Sequence, residues 1–206
     1  MPQITQGIRS ILSIPSFYTL FQKLVGADST YSTFCQNYVK PVIGDRILDI
    51  GCGPADILAY LPEIEYTGFD ASEEYINTAK KRYGNRGDFI CELVSNSSLE
   101  YPSHFDIVLV MGVMHHLSDL EAEQLFKLGY NTLKPMGRLI AIEPCFTDDQ
   151  SNCARWIISK DRGQNVRTKE GYLQLASKSF ADISCNIRHD LLRIPYTHII
   201  MECKKN

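Results

Sequence analysis

Between Arg46 and Glu143 the chain alternates two periodicities, and this constrains its fold more than any other feature. Apolar, β-branched runs at 46–50 (RILDI), 65–70 (EYTGFD), 88–94 (DFICELV), 105–111 (FDIVLVM) and 138–143 (RLIAIE) read as strands. Helix-spaced segments at 55–61, 72–83 and 118–133 lie between them. Ser118 and Glu121 form a capping-box pattern at the start of the last, and Pro135 and Gly137 are expected to end it. Strands that regularly alternate with helices give right-handed βαβ units, hence a mostly parallel sheet covered on both faces.

The flanks extend this plan. Phe17, Leu20, Phe21 and Leu24, then Tyr31, Phe34, Cys35 and Tyr38, recur at i, i+3, i+4, i+7, predicting two N-terminal helices over 1–40. A core region at 41–144 follows, then a mainly helical stretch over 145–180 and a C-terminal strand pair over 181–206, at 182–189 and 196–203. The length of 206 residues suits one domain.

A formal charge of −3 advertises no nucleic-acid or anionic-membrane partner. The seven cysteines show no C-x-x-C pair, so neither a zinc site nor a disulfide framework is expected; a reducing cytoplasm suits them. The apolar stretch near the N-terminus is too short to span a bilayer and lacks a signal-peptide layout, which predicts a soluble protein.

The segment "ILDIGCGPADIL" (47–58) is a strand, a glycine turn and a helix start. A dinucleotide fingerprint would need a third glycine where Asp56 stands. Asp49 directly before the turn would also repel a pyrophosphate at the helix start. The turn better suits a nucleoside bearing a cation in place of phosphates, such as S-adenosylmethionine, whose ammonium Asp49 can accept directly or through water. Asp70, nineteen residues after Gly51, can bridge the two ribose hydroxyls.

With these residues in place, the stretch from about 45 to 144 resembles the class I S-adenosylmethionine-dependent methyltransferases, particularly the small-molecule subgroup. The matching pieces are "ILDIGCGPADIL", "YTGFDASEEYINTAKKR", "FDIVLVMGVMHHLSD" and "LKPMGRLIAIEP". The resemblance implies a Rossmann-like α/β fold whose seven-stranded sheet has the order 3-2-1-4-5-7-6, with strand 7 antiparallel and a helical cap at the N-terminus. It places Gly51 and Gly53, with Cys52 between them, along the methionine portion. Asp70 falls at the ribose, Ala71 against the adenine and Met111 beneath the cofactor. Many relatives hold the adenine with an aspartate; here Leu93 stands at that position, which leaves the contact to a backbone group at Leu93 or Val94.

The acceptor side is less determined. His115 is the candidate general base, with His116 beside it as the scaffold residue of the same turn. Glu143 is a second candidate for base or substrate anchor, its alternative being a solvated edge acid. Methyl transfer need not use a base, since alignment of an activated donor can itself provide about 7–11 kcal/mol. Arg155, Lys160, Arg162 and Arg167 read either as a solvated face or as an anion clamp for an acidic acceptor. The resulting expectation is a cytoplasmic enzyme that methylates an O or N atom of a small polar, optionally acidic metabolite. Its rivals are a non-catalytic binder of the same cofactor and a nicotinamide-dependent oxidoreductase. No metal is expected, and the oligomeric state is left open.

Overall fold

The computed structural model describes residues 27–93, 102–161 and 163–206. The first expected N-terminal helix, Val94 and Arg162 lie outside them. Strand β1 (Arg46–Ile50) is the centre of the sheet and pairs in parallel with β2 (Glu65–Asp70) on one side and β4 (Phe105–Met111) on the other. From Ile47 to Ile50 every β1 residue is buried, as a strand covered on both faces requires. Beyond β2 lies β3 (Asp88–Cys91), and beyond β4 lies β5 (Leu133–Phe146). The last two strands, β7 (Asp182–Arg188) and β8 (His198–Lys204), form an antiparallel pair with β8 set against β5. The order β3-β2-β1-β4-β5-β8-β7 is the one the resemblance implied. A two-residue strand, β6 (Arg167–Thr168), adds a parallel pair to the far end of β5 and was not expected.

Helices divide between the two faces. Leu48 and Ile50 point into one core with α3 (Asp119–Thr132) and α5 (Lys169–Ala176). Ile47 points into the other, with α1 (Ala27–Phe34), the π-turn Cys35–Val39 and α2 (Glu73–Tyr83). A further helix, α4 (Asn152–Ser159), follows β5.

Three local expectations need correction. The helix over 55–61 is a short 3-10 turn, Asp56–Tyr60, because Pro62 forces Leu61 into extended backbone at φ −93°, ψ 144°. Pro135 and Gly137 do not end α3, which stops at Thr132 and runs straight into β5. They form a bulge instead: the β4–β5 register slips between Phe105 and Ile107, Met136 takes φ +67°, and a Cβ on Gly137 would sit 2.9 Å from the Lys134 carbonyl oxygen. The third strand ends at Cys91, sooner than expected.

The capping box at α3 is complete. The Ser118 hydroxyl accepts from the Glu121 N–H, and the Glu121 carboxylate accepts from both the N–H (2.8 Å) and hydroxyl (2.7 Å) of Ser118. We expect Ser118→Ala to cost about 1 kcal/mol, read as a lower urea midpoint with unchanged slope. Glu121→Ala in the same background should then cost less than it does alone, since only the backbone N–H of residue 118 is left to its carboxylate.

Candidate functional site

The site is built at the carboxyl edge of β1, β2, β4 and β5. The turn after β1 uses left-handed backbone at Gly51 (φ +75°), Gly53 (+54°) and also Ala55 (+57°). The first two have no Cβ to oppose this, whereas Ala55 holds the strained form as the cap of the 3-10 turn. The N–H groups of Gly51 and Cys52 both donate to the Phe69 carbonyl, at 2.8 and 2.9 Å, and draw the turn over the end of β2. The Cys52 thiol is buried, and burial raises its pKa far beyond neutrality, so it packs as an inert group.

Asp70 joins this turn to the next element. One carboxylate oxygen accepts from Gly53 N–H (2.9 Å), the other from Ser72 N–H (2.8 Å). Each oxygen keeps a lone-pair direction, enough for two hydroxyl donors. Ala71 and Leu93 are exposed at the ends of β2 and β3, and Met111 ends β4 half-buried.

Asp49 is wholly buried in β1. One oxygen accepts from the Tyr66 hydroxyl at 2.6 Å; the other, Oδ1, has no partner among the described residues. Burial is the main reason its pKa rises to about 7, with the Asp70 charge adding to the rise and the Tyr66 hydrogen bond opposing it. Tyr66 was not anticipated. It reaches Asp49 because Gly68, two residues along the same face of β2, carries no side chain: a Cβ there would lie 2.9 Å from the Tyr66 ring. An aromatic two residues before a strand glycine is the signal that could have revealed it.

A second constellation surrounds the 3-10 turn Met114–His116, which follows β4. Glu143, near the end of β5, is fully buried and accepts from the N–H groups of Val113 (2.8 Å), Met114 (2.8 Å) and His115 (3.3 Å). It is therefore neither a base open to substrate nor a solvated edge acid. Its Oε2 also lies 2.7 Å from His115 Nδ1, while His115 Nε2 faces Asp161 Oδ1 at 3.2 Å. Burial lowers the imidazole pKa, but the hydrogen bonds and charges of Asp161 and Glu143 outweigh it and raise it to about 9. His115 thus has no nitrogen open to an acceptor and carries its proton at neutral pH, which does not suit the expected general base. The local signal for this arrangement was absent, because Asp161 and Glu143 come from distant segments.

The expected anion clamp is also partly committed elsewhere. Arg167 donates to the carbonyls of Met114, Leu117 and Asn165 and pairs with Asp119. Arg155 donates to the Thr147 carbonyl at 2.8 Å and lies over the Phe146 ring. Lys160 is exposed.

Comparison with known proteins agrees with this geometry. Residues 47–137 match the methyltransferase domain family. The chain is 25% identical over 138 residues to a ubiquinone biosynthesis O-methyltransferase of Idiomarina loihiensis, covering 65% of this chain and 54% of that protein. It is 26% identical over 150 residues to the phosphoethanolamine N-methyltransferase of Plasmodium falciparum, covering 70% and 54% respectively. The chain thus spans about half the length of these curated relatives. A Haemonchus contortus phosphoethanolamine N-methyltransferase, solved with phosphomonomethylethanolamine and S-adenosylhomocysteine, shares the fold at a TM-score of 0.71 and 17% identity, over 95% of this chain and 58% of that one. The sheet order, the glycine turn and the family match converge: residues 47–137 match a methyltransferase domain, and the fold is shared with S-adenosylmethionine-dependent methyltransferases of known structure.

Proposed function

We propose that the chain transfers a methyl group from S-adenosylmethionine to an oxygen or nitrogen atom of a small polar molecule. The observation that carries this reading is the buried Asp49 oxygen that has no partner among the described residues, set beside a left-handed glycine turn. A buried polar atom left unsatisfied is costly, and a ligand cation is the partner that relieves it most. When bound, the cofactor supplies a methyl group already activated by its sulfonium. Asp49 would accept from the ammonium, and the backbone of Gly51, Cys52 and Gly53 would line the methionine portion. Asp70 would take the ribose hydroxyls, Ala71 and Leu93 would flank the adenine, and Met111 would pack beneath, where a polarizable thioether suits a ring. Val94 keeps its expected place in this set, though it lies outside the described residues.

The relatives named for ubiquinone biosynthesis and phosphoethanolamine support a small-molecule acceptor. An acidic acceptor is not favoured, since Arg167 is spent on backbone carbonyls and Glu143 and Asp161 outnumber the one imidazolium between them. The direct test is release of S-adenosylhomocysteine from the cofactor during incubation with a panel of phenols, amines and phosphorylated amines. Turnover with one of them supports the reading; tight cofactor binding without turnover on any points to a non-catalytic binder instead.

Two predictions follow from the cofactor residues. Asp70→Ala should weaken S-adenosylhomocysteine binding by about 1.5–3 kcal/mol, measured by calorimetry, and NAD should not bind the unaltered protein. Unchanged affinity in the variant would remove Asp70 from the site.

The second is a pH dependence. Asp49 in the free protein is half-protonated near pH 7, and only its ionised form can receive an ammonium. Cofactor affinity should therefore fall about tenfold per pH unit as pH drops below 7 and level off above it, with proton release on binding at pH 6. Titrations in buffers of different ionisation enthalpy measure that proton directly. Tyr66→Phe removes a hydrogen bond to the carboxylate and should move the acid limb to higher pH; Asp49→Asn should abolish it. For stability the sign is opposite: a raised aspartate favours the fold below about pH 4, and that advantage is lost as pH rises through 7.

A further inference from the structure

The turn after β4 is gripped by a segment that arrives from elsewhere in the chain. Asp161 Oδ1 faces His115 Nε2 at 3.2 Å and also accepts from Gly163 N–H at 3.0 Å, while Asp161 Oδ2 accepts from the Tyr196 hydroxyl at 2.8 Å. The Asn165 N–H donates to the His115 carbonyl at 2.9 Å, and Arg167 donates to the carbonyls of Met114 and Leu117. Gly163 lies against the imidazole so closely that a Cβ there would stand 2.0 Å from a ring carbon and 2.6 Å from the His115 carbonyl oxygen. Residues on both sides of position 162 are thus seated on one buried side chain.

We propose that the Glu143–His115–Asp161 bridge is a latch: it seats Asp161, Gly163, Asn165 and Tyr196 on the post-β4 turn and so fixes the acceptor-side wall of the site. Asp161 and Tyr196 are positioning residues in this scheme. That the wall faces an acceptor rests on the methyl-transfer reading above; the latch itself does not.

The bridge depends on a double donor. An imidazolium has two N–H groups and can satisfy both carboxylates, whereas a neutral imidazole has one. Glu143 has three backbone N–H partners besides the imidazole and holds its place. If His115 keeps its remaining proton on Nδ1, Asp161 Oδ1 meets a lone pair. The Asp161 side is the one that opens. The folded imidazole is raised to about 9 from an ordinary 6.5, so the latch is fully closed below about pH 6.5 and lost as pH rises through 9.

Other groups around His115 do not reverse this. The His116 ring lies 4.1 Å away, centroid to centroid. Burial holds His198 on β8 down to about 4, so it is neutral. Tyr196, and Tyr172 of α5, are pushed far upward by burial and keep their protons. Arg167 is occupied by carbonyls and Asp119.

Hydrogen–deuterium exchange on the full chain, corrected for the intrinsic pH effect, tests the latch without a known acceptor. Amides of Gly163 and Asn165 should exchange about tenfold faster or more at pH 9.5 than at pH 7, while those of β1 and β4 hold their protection. Asp161→Asn and Gly163→Ala should be fast at both pH values, and His115→Gln should lose the pH dependence. The His115 ring resonance should titrate near 9 by NMR and move down by more than one unit in Asp161→Asn. Equal protection of Gly163 and Asn165 at both pH values, or an unmoved His115 titration in the variant, overturns the proposal. Should Asp161→Asn fail to fold, the pH profile of the unaltered protein decides alone. S-adenosylhomocysteine calorimetry separates the two readings: an unaltered chain that does not bind it sinks the methyl-transfer reading and leaves the exchange result standing.

Discussion

A carboxylate taken wholly out of water must be met by donors or it destabilises whatever holds it. Glu143 is met by three backbone N–H groups and an imidazole, all from residues 113–115. Three consecutive N–H groups converge on one acid, so the backbone after β4 has little freedom to take another path. The rest of the edge depends on that fixed path: Arg167 and Asn165 find their carbonyls there, β6 forms beside the end of β5, and Asp161 finds its imidazole. Removing Glu143 would expose the demand of several groups at once.

Asp49 is the counterpart. It is buried as completely as Glu143, yet one oxygen has a single phenol hydroxyl and the other nothing among the described residues. The same chain therefore contains one buried acid satisfied by folding and another with an oxygen that no described residue meets, the one proposed to receive the cofactor's ammonium. The difference tells structure from function more clearly than either residue type does. Two strands carry acids near their carboxyl ends that look alike in the sequence, and only their donors separate them.

Much of the fold was legible because its signals are local. The strand runs appear where expected, though β3 is shorter and β5 longer than read; the capping box at Ser118 and the order implied by the resemblance also appear, and Asp70 reaches the glycine turn. The misses share a different cause. Glu143, Asp161 and Tyr196 lie far apart along the chain, so no spacing rule joins them, and the protonation of His115 depends on all of them. Tyr66 was hidden because its function needs an absence at Gly68. The bulge at Lys134–Gly137 was misread because proline and glycine punctuate strands as well as helices.

Asp70 has one consequence that concerns the cost of binding rather than its contacts. Its carboxylate is tied to Gly53 on one side and Ser72 on the other before any ligand is present. The glycine turn, the end of β2 and the start of α2 are thereby a single rigid piece. A ligand spanning them need not first assemble its own receptor, so ordering that many sites charge against affinity has here been met during folding. The same rigidity makes the two ends of the ligand interdependent. A shift at either end is felt at the other through one side chain.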